Sequence, residues 1–163
     1  LQLFHDFGKQ MERHRATYEG KDEQTLRDHF LLMLQPHFGV EGSATGETFN
    51  AAGKTDILLK YENRNLFIAE FKFWPGAKKH LETIDQLLSY LTWRDSKAAI
   101  VYFIRAKEIV LPLRAIEEST PQHASFVKLT ERKEESWFSY EFHLPGDAKR
   151  LVKVAILCFH LPD

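Results

Sequence analysis

Cysteine is almost absent from this sequence: Cys158 is the only one among 163 residues. A single cysteine cannot form an internal disulfide and cannot supply the several thiolates of a cysteine-based zinc site. The sequence therefore excludes a disulfide-stapled secreted fold. Cys158 lies in the apolar run Val-Ala-Ile-Leu-Cys-Phe (residues 154–159), where we predict that it is a small buried residue of the core.

Long hydrophobic runs and an excess of charge of one sign are also missing. The best apolar runs, residues 98–104 and 154–159, have the length of strands and fall short of the roughly 18–20 residues that span a bilayer, so no membrane segment is predicted. Lysine and arginine total 22 against 23 acidic residues, a net charge of −1. This balance argues against nucleic-acid binding by bulk charge alone, but it is compatible with an enzyme that surrounds an acidic site with basic residues.

The sequence does contain enough apolar material for one ordinary domain. Hydrophobic residues make up 44% of the chain and include 13 Phe, 5 Tyr and 3 Trp, which are large side chains for a core. The length fits one domain better than two. The chain begins at Leu1 and not at Met, and we expect it to be part of a longer protein.

Residues 1–20 are predicted to form a helix that precedes the main domain at residues 21–163. Phe4, Phe7 and Met11 recur at spacings of three and four, which is the period of a helical apolar stripe. One interpretation is the end of a coiled coil or linker, which would contact a second copy or other domains of a longer chain. The other is that the helix packs on its own domain.

Apolar periodicity predicts a mixed α/β domain. The predicted core order is helix, three strands, helix, strand, around a mixed central sheet with a C-terminal β extension. The predicted helices are residues 22–35, 79–93 and 113–118, and the predicted strands are residues 47–51, 56–61, 66–73, 98–104, 126–130, 137–143 and 152–159.

The most informative segment is residues 66–74, where Glu70 and Lys72 interrupt an otherwise apolar strand. The two-residue period of a strand places both side chains on one face, roughly 7 Å apart at the base. Burial of these charges costs several kcal/mol unless they are paired. One interpretation is an internal ion pair or a strand end in solvent, and the other is a functional site.

Asp56 favours the functional interpretation. It begins the preceding strand, and a hairpin turn at residues 62–65 brings it close to the Glu70 region. Two carboxylates and a lysine at the ends of neighbouring strands can bind a hard divalent cation and leave positions open for a phosphate. Such a cation polarises a phosphoryl oxygen and lowers the pKa of bound water, and a lysine beside it stabilises developing negative charge or positions the water.

Three segments resemble the PD-(D/E)XK nuclease superfamily, the restriction-endonuclease-like phosphodiesterases. They are Gly-Lys-Thr-Asp-Ile-Leu-Leu at residues 53–59, Ile-Ala-Glu-Phe-Lys-Phe-Trp at 68–74 and Ile-Asp-Gln-Leu-Leu-Ser-Tyr at 84–90. The order of elements is also similar to the family core, and the resemblance covers roughly residues 22–104. Thr55 stands where the proline of the motif would be, and the family often lacks that proline.

The resemblance implies a set of site residues. Asp56 and Glu70 would hold Mg²⁺ or Mn²⁺, and the backbone carbonyl of Phe71 would be a further ligand. Lys72 would act on the water or the phosphate. Gln86 would correspond to the helix glutamine that many members carry near the lysine and the substrate; the alternative is that it is a solvated helix residue.

Many members of the family add an acidic residue from the first helix. Glu23 shares a helical face with Phe30, so its carboxylate could be directed towards the sheet. Glu23 could equally cap the start of the helix, where the helix dipole favours a carboxylate. Glu47 is a substitute for this role.

Basic and aromatic residues near these motifs are candidate contacts to nucleic acid: Lys54, Trp74, Lys78, Lys79 and Arg94. Such charges can hold a phosphate backbone without reading its sequence. A lysine pair at the start of a helix can also simply be solvated.

The resemblance therefore predicts a divalent-metal-dependent nuclease, an endo- or exodeoxyribonuclease that favours DNA over RNA, in a cytoplasmic prokaryotic setting. The alternative is a catalytically inactive module of the same fold that binds nucleic acid or assembles with proteins. The intact set of Asp56, Glu70, Lys72 and Gln86 favours the enzyme, because an inactive site is free to lose at least one of them.

Overall fold

The computed structural model describes the backbone of residues 1–34, 36, 42–50, 53–61 and 64–163, and the side chains of residues 1–34, 36 and 67–163. Within these residues the helices are α1 (Gln2–Arg13), α2 (Glu23–Leu34), α3 (Ala77–Tyr90) and α4 (Val110–Ser119). The strands are β1 (Gly42–Asn50), β2 (Gly53–Tyr61), β3 (Arg64–Phe73), β4 (Lys97–Ile104), β5 (Phe126–Glu134), β6 (Trp137–Leu144) and β7 (Asp147–His160).

The strands form one mixed sheet in the order β1-β2-β3-β4-β7-β6-β5. β3, β4 and β7 run parallel in the centre, whereas the strands on either side are antiparallel to their neighbours. α3 connects the parallel strands β3 and β4, as a crossover between parallel strands must. The predicted α/β class is therefore confirmed, and the order helix, three strands, helix, strand is observed. None of the described helices is both long and apolar enough to cross a membrane.

Side chains alternate across the central strands and divide the core into two layers. Ile68 of β3 packs with Ile84 of α3 on one face of the sheet, where α4 also contributes. Phe71 of β3 packs with Phe30 of α2 and with α1 on the opposite face. Cys158 of β7 is buried as predicted, and this burial raises the pKa of its thiol far above the usual value.

The apolar stripe of α1 packs on the sheet of its own domain. Phe4 and Met11 are buried, and the ring of Phe4 meets that of Phe30 edge-on with centroids 5.6 Å apart. The helix ends at Arg13, earlier than the sequence predicts. The stripe is therefore used within the domain, because the central strands supply the apolar surface that covers it. Contact with a second copy or with further domains through this helix stays a prediction.

α1 approaches the sheet closely at Gly8. A Cβ atom at this position would lie 2.2 Å from the ring of Phe159 in β7, and Phe159 is itself only 1% exposed. We expect Gly8→Ala to destabilise the domain by about 1–3 kcal/mol, because overpacking of a closed core outweighs the gain in helix propensity of up to about 1 kcal/mol. Urea unfolding followed by circular dichroism measures this difference.

The matched control is Gln10→Ala, which adds alanine to the exposed side of the same helix. This variant should unfold within about 0.5 kcal/mol of the wild type. Equal stability of Gly8→Ala and Gln10→Ala would mean that α1 does not pack against β7 in solution.

Candidate functional site

Glu70 and Lys72 lie two residues apart on β3 and, by alternation from Ile68, belong to the face that α3 covers. The side chain of Glu70 is 1% exposed and that of Lys72 is 29% exposed. Lys72 Nζ lies 3.8 Å from Glu70 Oε2. A buried carboxylate requires such a partner, since an unpaired one would cost several kcal/mol. The ion pair considered in the sequence analysis is therefore present.

A second carboxylate, that of Glu23, reaches the same lysine from the first turn of α2. Glu23 Oε1 lies 3.7 Å from Lys72 Nζ. Its other oxygen, Oε2, accepts a hydrogen bond of 2.7 Å from the backbone N–H of Phe73. The start of α2 is thereby tied to the end of β3, and Lys72 is held between two carboxylates.

The cap of α2 is supplied by Asp22 and not by Glu23. Asp22 Oδ1 accepts a 2.8 Å hydrogen bond from the backbone N–H of Thr25, the arrangement of a helix N-cap. Hydrogen bonds from the Thr25 hydroxyl and backbone lower the pKa of the Asp22 carboxyl below its ordinary value. The two roles considered for Glu23 are thus separated, because its neighbour caps the helix while its own carboxylate is directed at β3.

Asp56 belongs to β2, which pairs with β3 in an antiparallel ladder. Ile57 pairs with Ala69, and Asp56 is the residue before Ile57 while Glu70 is the residue after Ala69. One further step along the ladder would therefore place the Asp56 position opposite the Glu70 position. The side chain of Asp56 lies outside the described residues, as do those of Glu47 in β1 and Lys54 in β2.

The described part of this site combines two acidic side chains with one basic side chain. Glu23, Glu70 and Lys72 carry two negative charges and one positive charge, and all donor atoms of the carboxylates are oxygen. Among the residues with described side chains, no group of three or more His, Cys, Asp or Glu could hold a metal ion. The predicted ligand set depends on Asp56, whose side chain lies outside the described residues, and on the backbone of Phe71.

Phe71 lies in the middle of the parallel pair β3 and β4, where it is opposite Val101. Its ring is fully buried on the face of α1 and α2 and contacts Phe30, with centroids 5.2 Å apart. Burial of this ring fixes the backbone between Glu70 and Lys72. A role of the Phe71 carbonyl as a ligand stays a prediction.

Gln86 lies on α3 and is half-buried. It is therefore not a fully solvated helix residue, and its place near the lysine and the substrate stays a prediction. Its Nε2 donates a 2.7 Å hydrogen bond to the hydroxyl of Tyr90, one helical turn later. Thr83 and Tyr90, three and four positions away on the same helical face, are buried. Gln86 therefore lies at the margin of the face that packs on the sheet.

The candidate contacts to nucleic acid do not form one cluster. Lys78 and Lys79 are exposed in the first turn of α3, close in sequence to the end of β3. Arg94 follows the other end of this helix of 14 residues, which is about 21 Å long. Its guanidinium stacks on exposed Trp93, 4.0 Å from the ring centroid.

Trp74, the aromatic candidate, is half-buried against Tyr102, with ring centroids 5.1 Å apart. Its ring therefore takes part in packing.

α3 ends at Tyr90 and does not extend to Trp93 as predicted. The reason is a local turn in which the backbone N–H and the hydroxyl of Thr92 both donate to Asp95 Oδ2, at 2.7 and 2.8 Å. This turn competes with continuation of the helix. Trp93 and Arg94 therefore lie beyond the helix that carries Gln86.

A buried polar chain supports the strand beside the site. Lys72 pairs with Tyr102 across the ladder of β3 and β4. The hydroxyl of Tyr102 donates to His80 Nδ1 at 2.8 Å, and His80 Nε2 donates to Thr120 Oγ1 at 2.9 Å. The Thr120 hydroxyl in turn donates to the carbonyl of Ile116, so it is an acceptor for the imidazole. These bonds assign His80 as a neutral imidazole with its proton on Nε2.

Sequence reasoning did not single out Arg105, the residue that follows β4. Its guanidinium lies over the ring of Phe73, 4.0 Å from the centroid, and donates a hydrogen bond to the carbonyl of Lys21. The only signal in the sequence is that Arg105 is the first charged residue after the buried run of β4. That signal predicts where the strand ends, but it does not predict which residues Arg105 contacts.

Comparison of this chain with protein-family models, with curated proteins and with solved structures gave no match.

Proposed function

We propose that this protein is a divalent-metal-dependent nuclease with a restriction-endonuclease-like core. The observation that carries the proposal is the convergence of Glu23, Glu70 and Lys72 at the end of β3, next to the ladder position of Asp56. The resemblance of the three sequence segments favours DNA over RNA as substrate and a cytoplasmic prokaryotic setting.

In the proposed site, Asp56, Glu70 and the carbonyl of Phe71 would hold Mg²⁺ or Mn²⁺. The bound ion supplies a Lewis acid for the phosphoryl oxygen and lowers the pKa of the attacking water. The oxygen donors and the excess negative charge of Glu23 and Glu70 over Lys72 fit such a hard cation.

Lys72 supplies the positive charge for the phosphate or the water. Its side chain is 29% exposed, so part of it is accessible to a substrate. Two carboxylates at 3.7 and 3.8 Å restrict the position of the ammonium. A preorganised charge of this kind needs little rearrangement as negative charge develops.

The alternative function, an inactive module of the same fold, has one observation in its favour. The network of Glu23, Lys72 and Glu70 pairs a buried carboxylate with a lysine and could be retained for stability alone. Such a module would keep the ion network and bind nucleic acid or protein without turnover.

Metal binding separates these alternatives before any substrate is chosen. We expect isothermal titration with Mn²⁺ to show one or two ions bound by the wild type and none by the Asp56→Ala/Glu70→Ala double variant. The matched control is Glu82→Ala/Glu118→Ala, which removes two exposed carboxylates from α3 and α4. This control should bind Mn²⁺ as the wild type does, and circular dichroism verifies that all three proteins are folded.

Equal Mn²⁺ binding by the wild type and the Asp56→Ala/Glu70→Ala variant would contradict the proposed ligand set. Absence of binding to the folded wild type would favour the inactive module.

A further inference from the structure

Arg105 joins three elements that meet at the site. It follows the last residue of β4, its guanidinium stacks on Phe73 at the end of β3, and it donates to the carbonyl of Lys21 just before α2. Its Nε lies 3.4 Å from a carboxylate oxygen of Asp163. The side chain is 35% exposed, so most of its surface is engaged in these contacts.

Two of the three residues that Arg105 contacts, Lys21 and Phe73, are linked directly to Glu23. Lys21 precedes Glu23 by two positions in the segment that enters α2. Phe73 donates its backbone N–H to Glu23 Oε2 at 2.7 Å. Arg105 therefore holds both the chain that carries Glu23 and the donor that binds its carboxylate.

Glu23 in turn lies 3.7 Å from Lys72 Nζ through its other oxygen. Displacement of a reacting or orienting group by about 1 Å can cost on the order of 10²-fold in rate. A contact that fixes Glu23 at the end of β3 also fixes one of the two carboxylates that orient Lys72. The planar guanidinium suits this task, because it stacks on a ring and donates in its own plane at the same time, which a lysine cannot do.

We propose that Arg105 is a positioning residue, which acts through Phe73 and Lys21 to set the place of Glu23 against Lys72. The proposal rests on the proposed function, since the effect on catalysis requires a nuclease. The contact itself does not, and a structural readout tests it separately.

The first test is the backbone amide of Phe73, observed by NMR in the wild type, Arg105→Ala, Glu23→Ala and Arg132→Ala. Arg132 is the matched control, because it also lies over a ring, that of Phe138 at 5.1 Å, and also pairs with a glutamate, Glu117 at 3.3 Å. We expect Arg105→Ala and Glu23→Ala to shift the Phe73 amide and speed its hydrogen exchange at least tenfold. Arg132→Ala should leave it unchanged, and an unchanged amide in Arg105→Ala overturns the proposal.

The second test is kinetic and uses nucleic-acid cleavage in Mg²⁺. Arg105→Ala should lower kcat by roughly tenfold to a hundredfold with KM within about twofold of the wild type. In a Glu23→Ala background the same change should lower kcat by less than about twofold, because the carboxylate that Arg105 positions is already gone. Arg105→Lys should not restore kcat.

A rise in KM that Arg105→Lys reverses would mean that Arg105 binds the phosphate backbone directly, and it would overturn a positioning role. Equal losses in the wild-type and Glu23→Ala backgrounds would do the same. If the wild type cleaves nothing, the proposed function fails, and the Phe73 amide still decides whether Arg105 holds Glu23 in place.

Discussion

Replacement of Lys72 by alanine is expected to lower the rate of nucleic-acid cleavage about 10²–10³-fold, equivalent to roughly 3–4 kcal/mol of transition-state stabilisation. The physical reason is that Lys72 Nζ is the positive charge of the site, held 3.7 Å from Glu23 and 3.8 Å from Glu70. In the proposed nuclease, its loss would remove the charge that acts on the phosphate or the water and would leave the carboxylates in place. Plasmid cleavage in Mg²⁺ measures the rate, and Mn²⁺ titration verifies that metal binding persists.

The same substitution distinguishes the enzyme from a structural ion network. In a purely structural pair, Lys72→Ala would remove the ammonium from beside Glu70, which is 1% exposed, and cost on the order of 3–5 kcal/mol of stability if the pair is fully buried. Lys72 is itself 29% exposed, so water reaches the pair and the loss should be smaller. The matched control is Lys149→Ala, an exposed lysine of β7, which should change neither the melting temperature nor cleavage.

A large fall in melting temperature of Lys72→Ala, together with a wild type that has no activity to lose, would favour the structural network. Loss of cleavage with a melting temperature close to that of the wild type favours the nuclease.

The free energy of unfolding is expected to decrease by roughly 3 kcal/mol as the pH falls from above 6.5 to 4, because His80 binds a proton more readily in the unfolded chain. The side chain is fully buried between Tyr102 and Thr120, and this burial lowers the pKa of His80 to about 4. In the folded protein the imidazole therefore stays neutral, whereas in the unfolded chain it gains a proton near its ordinary pKa of about 6.5. Since the unfolded state binds more protons between these values, the free energy of unfolding decreases as the pH falls through this range.

Urea unfolding at pH 7 and pH 5 measures this effect, which should amount to about 2 kcal/mol at pH 5. His80→Asn should be less stable than the wild type at pH 7, because it breaks the hydrogen bonds to Tyr102 and Thr120. The difference between its free energies of unfolding at pH 7 and pH 5 should nevertheless be smaller than that of the wild type, by about the same 2 kcal/mol. An identical pH dependence of the two proteins would show that His80 is not a buried neutral imidazole. The comparison matters for the site, because Tyr102 pairs with Lys72 across the ladder.

Local patterns were sufficient to predict the part of the site that one strand or one helix creates. The alternation of β3 predicts that Glu70 and Lys72 share a face, and the two side chains are indeed 3.8 Å apart. The period of α2 predicts that Glu23 faces the side of Phe30, and its carboxylate reaches the end of β3. In both cases the direction of the side chains follows from the period of a single strand or helix, so the order of residues alone predicts it.

Contacts between elements that are distant in the chain could not be predicted in this way. Arg105 meets Lys21 across 84 positions, and the contact exists only because β4 lies beside β3 in the folded sheet. The apolar stripe of α1 likewise fits either a coiled coil or a sheet, since its period is the same for both. Its packing against Phe159 of β7 depends on the close approach at Gly8, which appears in the sequence only as an isolated glycine.

The ends of elements were the other source of error. Apolar spacing continues from Leu88 through Leu91, so periodicity alone extends α3 to Trp93. The structure ends it at Tyr90 because Thr92 and Asp95 form a turn through their side chains. In both the predicted and the observed helix, Arg94 follows the end opposite to Lys78 and Lys79, so these candidate contacts to nucleic acid are separated.

The most direct measurement of the central claim is cleavage by the wild-type protein of end-labelled single-stranded, duplex and branched DNA and of RNA, in Mg²⁺, in Mn²⁺ and in EDTA. We expect cleavage of at least one DNA substrate that requires the divalent ion and is absent in EDTA. The Asp56→Ala/Glu70→Ala variant should have no activity in any condition. If the folded wild type cleaves none of these substrates with either ion, or cleaves them equally well in EDTA, the protein is not a metal-dependent nuclease.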